Sequence, residues 1–122
     1  MKNRVIISEE DFQRARNKIK EAQKEGKEII FTGSDEISRK ILEKEKIDIL
    51  LIRLKGRKDK MKQRNSGFNH VLANLAQKKS ITIGIDLDEI IDSDKKEKVR
   101  ILARLRQNVE LCKKNNLKMT FL

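Results

Sequence analysis

The chain has 122 residues, 40% of them charged and 37% apolar, and 30 Lys/Arg against 19 Asp/Glu give a formal net charge of +11. That length holds one domain with one core, and with no Trp, no Tyr and four Phe the core is aliphatic. The single Cys112 excludes an internal disulfide and a thiolate metal cluster, and no run of 18 apolar residues offers a membrane span.

The apolar residues fall in periodic blocks, so the high charge does not imply disorder. The excess of Lys and Arg points to a polyanionic partner, nucleic acid before an anionic membrane surface. Three apolar residues between Arg4 and Ser8 are too few for a signal peptide, so a cytoplasmic location is the default expectation, with no membrane partner.

Residues 4–7 (RVII) predict a short strand. Ser8-Glu9-Glu10-Asp11 resembles a capping box that starts a helix at Ser8. Phe12, Ala15, Ile19 and Ala22 give that helix one apolar stripe, and Gly26 stops it. Residues 28–32 (EIIFT) predict the next strand. Gly33-Ser34 turns the chain, with Ser34 as N-cap and Asp35-Glu36 in the first turn, where the helix dipole favours anions. Ile37, Ile41 and Leu42 form the buried stripe. Residues 47–54 (IDILLIRL) are almost continuously apolar, as in a strand covered on both faces, with Asp48 at its start or paired.

A basic loop follows over 55–65, then a helix over 66–79 with Phe68, Val71, Leu72, Leu75 and Ala76 facing inward. Residues 81–87 (ITIGIDL) predict another buried strand and 88–92 a short turn or helical piece. Ser93 or Asp94 caps the longest helix, which runs to about residue 115. Leu102, Leu105, Val109 and Cys112 are expected on its inner face, with Cys112 as a small core residue. Residues 118–122 (KMTFL) predict a last strand.

The order is β-α four times plus a terminal strand. It implies an α/β fold with a parallel sheet and right-handed crossovers, five strands and four main helices in a single domain over 1–122. An open flavodoxin-like sheet and a partial TIM-barrel-like sheet both satisfy it. A complete (β/α) barrel takes about 250 residues. A partial one leaves two strand edges and apolar surface for a partner or for self-association.

Between Arg53 and Arg64 seven Lys/Arg accompany one acid, Asp59, a local charge of +6. Such a loop after a buried strand lies at the carboxyl end of the sheet, where α/β folds bind ligands. Lys55, Arg57, Lys58, Lys60, Lys62 and Arg64 are therefore candidate phosphate contacts, against the plainer reading of a solvated loop. No aromatic residue interleaves with them, so backbone or shape recognition is expected rather than base stacking.

Arg100, Arg104 and Gln107 share a helical side opposite Leu105 and Val109, either a solvated surface or a second phosphate-contacting face. His70 suits packing or hydrogen bonding better than catalysis or metal binding, which need further ligands. Asp86, Asp88 and Glu89 end a strand without sharp catalytic spacing. There is no P-loop, dinucleotide turn or nucleophile elbow. Gly33-Ser34-Asp35 reads as a capped βα turn rather than a phosphate site.

Arg57-Lys58-Asp59, Ser66-Gly67-Phe68-Asn69-His70-Val71-Leu72 and the strand that ends in Asp86-Leu87 together resemble the archaeal ribonuclease P protein component 3 family, the p30-type subunit. Residues 100–108 (RILARLRQN) fit the family's next helix. The resemblance implies a TIM-barrel-like fold related to the polymerase and histidinol phosphatase superfamily, without its metal-binding histidines. It implies an accessory protein with no catalytic site, metal or cofactor of its own, in a ribonucleoprotein whose RNA catalyses tRNA 5′ maturation with Mg²⁺.

The partners implied are ribonuclease P RNA, a small Pop-type subunit and other ribonuclease P proteins. By the same resemblance Arg57, Lys58, Arg100 and Arg104 contact RNA, and Ser66, Asn69 and His70 order the loop-to-helix junction. Family members are longer, so a fragment, or a shortened barrel closed by a partner or second copy, is expected. Two other classes stay open: a degenerate metal-dependent phosphoesterase relying on His70 or Asp86, and an α/β scaffold for protein association.

Overall fold

A computed structural model describes residues 3–55, 57 and 67–122. Its strands are β1 (Arg4–Ser8), β2 (Glu28–Thr32), β3 (Ile49–Ile52), β4 (Thr82–Ile85) and β5 (Met119–Phe121). Its helices are α1 (Phe12–Lys24), α2 (Asp35–Lys44), α3 (His70–Lys78), the five-residue α4 (Leu87–Ile91) and α5 (Lys95–Lys114). The strands form one parallel sheet in the order β1-β2-β3-β4-β5.

That order selects between the two expected architectures. A doubly wound sheet reverses its strand order once, which sends helices to both faces. Here the order never reverses, so every right-handed crossover puts its helix on the same face. The contacts agree: α1 packs on α2, α2 on α3 and α3 on α5, in a single layer. The sheet is a run of barrel staves with an outer helical coat, and the open flavodoxin-like alternative is excluded.

Alternation along each strand sorts the side chains. Ile7, Ile29, Phe31, Leu50, Ile52 and Ile83 join Ala15, Ile19, Ile37, Ile41, Leu42, Leu72, Ala76 and Ile101 in the main core under the helices. Ile30, Ile49 and Leu51 form a second buried cluster with Leu122 on the opposite face. Gly84 sits in the middle of that face, where an added Cβ would lie 2.9 Å from Ile49 Cγ2 and 3.0 Å from Leu122 Cδ1. Asp48 is paired: its Oδ2 accepts from Ile29 N at 2.7 Å beside β2.

Four local expectations change. Ser8 ends β1, paired with Thr32, and Asp11 caps α1 by accepting from Gln13 N. Helix α3 starts at His70 instead of 66, because Gly67 has φ +75° and Asn69 caps the helix through Leu72 N. Its inner face is Leu72, Ala73 and Ala76, and Val71 is exposed. The inner face of α5 is Ile101, Arg104, Asn108 and Cys112, and Leu102 is turned out to solvent. Two polar residues thus hold core positions that the apolar pattern assigned to Leu102 and Val109.

Candidate nucleic-acid interface at the carboxyl edge of the sheet

Parallel strands align their carboxyl ends, so the segments after β2, β3 and β4 meet along one edge. After β2, Gly33 leads to Ser34, which caps α2 through Ile37 N, and Asp35 opens that helix. After β4, Asp86 caps α4 through Asp88 N. Between them the chain leaves β3 through Arg53, Leu54 and Lys55.

This exit is fixed by side chains from distant parts of the sequence. The Glu89 carboxylate accepts from Leu54 N at 3.1 Å with Oε1 and from Lys55 N at 2.7 Å with Oε2. Arg104 Nη1 donates to Leu54 O at 2.8 Å and its Nη2 to Arg57 O. Arg57 donates from Nε to Arg53 O, and its Nη1 lies 3.0 Å from both carboxylate oxygens of Asp35. Arg53 pairs with Asp86 at 2.9 Å. A Cβ at Gly67 would collide with Arg57 Nη2, so only glycine lets the guanidinium lie over the chain there.

The two ends of the basic segment, residues 57 and 67, are thereby brought together at one guanidinium. Between 58 and 64 lie four further Lys/Arg and one Asp, all outside the described residues. At the end of β1, the Glu9 carboxyl is held below its usual range, first by the hydrogen bond from Lys18 and then by the backbone N–H of Asp11.

The sequence-predicted residues divide into four groups. Lys55 and Arg100 are exposed at the surface. Arg57 and Arg104 are not free phosphate contacts. The Arg57 side chain is 15% exposed and committed to Asp35 and Arg53 O. Arg104 is 2% exposed and turned inward, where its fork donates to the backbone carbonyls of Leu54 and Arg57. Lys58, Lys60, Lys62, Arg64 and Ser66 lie outside the described residues. Asn69 is the N-cap of α3, accepting from Leu72 N, and His70 is exposed on the first turn.

Sequence reasoning missed Glu89 and Asp35 as partners of the loop. It also missed the inward turn of Arg104, although Ile101, Arg104, Asn108 and Cys112 form a helical stripe. Among the described residues no three His, Cys, Asp or Glu side chains converge as a metal-ligand set. No helix among them is long and apolar enough to cross a membrane.

The family described as RNase P subunit p30 matches residues 1–120. Ribonuclease P protein component 3 of Methanocaldococcus jannaschii is 32% identical over 111 residues, covering 90% of this chain and 45% of the relative. The Methanosarcina acetivorans protein of the same name is 32% identical over 91 residues, covering 75% of this chain and 35% of the relative. A solved chain from a cryo-EM structure of archaeal ribonuclease P with mature tRNA superposes with a TM-score of 0.78 at 27% identity. The match covers 97% of this chain and 49% of that one. The chain therefore spans less than half the length of these relatives.

Proposed function

Because the chain belongs to the RNase P subunit p30 family, we propose that it is a non-catalytic protein component of ribonuclease P that binds the RNA subunit and supports 5′ maturation of tRNA. The observation that carries this reading is the family match, which runs over residues 1–120 of 122. The carboxyl edge supports it with an exposed Lys55 and a basic segment tethered at both ends. Lys and Arg on such a segment neutralise phosphates and release counterions, which lets RNA helices approach.

In this reading Lys55, Lys58, Lys60, Lys62, Arg64 and Arg100 meet the RNA backbone, and Arg57 and Arg104 act behind them. Mg²⁺ serves the RNA, which performs the hydrolysis. A small Pop-type subunit and other ribonuclease P proteins are its protein partners, and the complex works in the cytoplasm. The solved relative, described with mature tRNA, supports such an assembly.

The test is reconstitution of Mg²⁺-dependent precursor-tRNA cleavage from an archaeal ribonuclease P RNA and its protein subunits, with this chain added or omitted. Addition is expected to raise cleavage at low Mg²⁺ and to tighten RNA binding. Replacing Lys55, Lys60, Lys62 and Arg64 with Gln should flatten the dependence of log K on log salt by about 0.7–0.9 for each phosphate that is no longer neutralised. No effect of the chain on cleavage or on RNA affinity overturns the reading.

A further inference from the structure

We propose that Asp35 and Glu89, two acids at an edge that receives a polyanion, are positioning residues for RNA binding: they hold the chain's exit from β3 so that its cations face the RNA. The proposal rests on the RNA-binding reading and assigns that site its internal support.

The geometry requires an account of these acids. A carboxylate near a phosphate repels it, so an interface built on net charge alone would be better without them. Yet each is committed to the loop. Glu89 receives two consecutive backbone N–H groups, Leu54 and Lys55, which lie past the last strand pairing of β3. Arg104 takes the carbonyls of Leu54 and Arg57. Residue 54 therefore has both backbone polar groups held by side chains, from positions 35 and 50 residues away in sequence.

Asp35 acts one step further out. It receives Nη1 of Arg57 in a two-oxygen contact, while Nε of the same guanidinium returns to Arg53 O. That guanidinium covers Gly67, the residue at which the chain returns from the basic segment. Asp35 thus orients the group that joins residues 57 and 67. A lysine at 57 would keep the charge but lose the planar fork that serves Asp35 and a carbonyl at once.

Charge and positioning predict opposite signs, and that contrast is the experiment. The full chain and its variants Asp35→Asn, Glu89→Gln and Glu43→Gln would be titrated against a fluorescently labelled archaeal ribonuclease P RNA transcript at fixed salt. Each variant raises the net charge by one unit. Glu43→Gln, from the exposed Arg39–Glu43 pair on α2, is the control and should bind as tightly as wild type or slightly tighter. Glu89→Gln and Asp35→Asn should each bind about tenfold more weakly, the equivalent of one charge-assisted hydrogen bond.

Amide hydrogen exchange gives a readout that does not depend on RNA. Leu54 and Lys55 should exchange faster in Glu89→Gln, while amides in β2 and β4 keep their protection. If thermal unfolding shows that Glu89→Gln has lost the fold, Asp35→Asn carries the test, since Asp35 lies at an exposed helix start. Wild type that binds while both folded variants bind equally or more tightly overturns the positioning role alone. Wild type without RNA affinity overturns both that role and the functional reading.

Discussion

Arg104 carries a full charge into the core, and its surroundings explain why it stays there. Two backbone carbonyls accept from it and Glu97 Oε1 lies 4.0 Å away. A buried charge is tolerated when hydrogen bonds replace the water it has lost. Cys112, on the same face of α5, is the opposite case. Burial pushes its thiol from 9.0 up to about 11. Between those values the unfolded chain releases a proton that the folded chain keeps, so stability falls as pH rises from 9 towards 11. The denaturant midpoint of wild type is expected to drop more steeply across that window than that of Cys112→Ala. Equal slopes would remove the thiol from the account. Cys112 as a core residue was legible from the apolar spacing alone. The inward turn of Arg104 was not, because no local pattern records which distant carbonyls lack a donor.

At the scale of elements, caps decide where helices begin. Asn69 Oδ1 accepts from Leu72 N at 3.0 Å, and Gly67 just before it has a left-handed backbone that no helix continues through. Asn69→Ala should cost about 1 kcal/mol in chemical denaturation. Asn69→Asp should cost much less, since it keeps the acceptor and places an anion at the helix start. A loss of equal size in both variants would mean that the side chain's cap is not the stabilising contact. Short apolar blocks were enough to find each strand among the described residues, down to Met119-Thr120-Phe121, and Gly26 was enough to end α1. The start of α3 was harder to read, because Phe68 continues the apolar rhythm backwards past the cap. Phe68 is indeed buried, but it reaches the core from outside the helix.

For the molecule as a whole, apolar surface is exposed both on the helices α4 and α5 and on the two edge strands. Leu87, Ile91, Val99, Leu102 and Phe121 are large exposed apolar residues from α4, α5 and β5, and Ile6 is exposed on the opposite edge strand. Such residues bind an environment-sensitive dye when nothing covers them. The isolated chain should enhance the fluorescence of an anilinonaphthalene dye. The double variant Leu102→Glu, Phe121→Glu should lower that signal by about half or more while keeping its circular dichroism. An unchanged signal would place the dye elsewhere. Alternating strands and helices told the fold class but could not separate a barrel segment from a doubly wound sheet. Both have the same local periodicity, and only the spatial order of the strands distinguishes them.

That order has a consequence for how the chain comes into being. Each strand in β1-β2-β3-β4-β5 pairs only with its neighbours in sequence. A strand leaving the ribosome therefore finds its docking edge already made, and each βαβ unit can close before the next is synthesised. The sheet can grow in one direction, from amino to carboxyl end, with one edge advancing while the outer edge of β1 stays as it was first made.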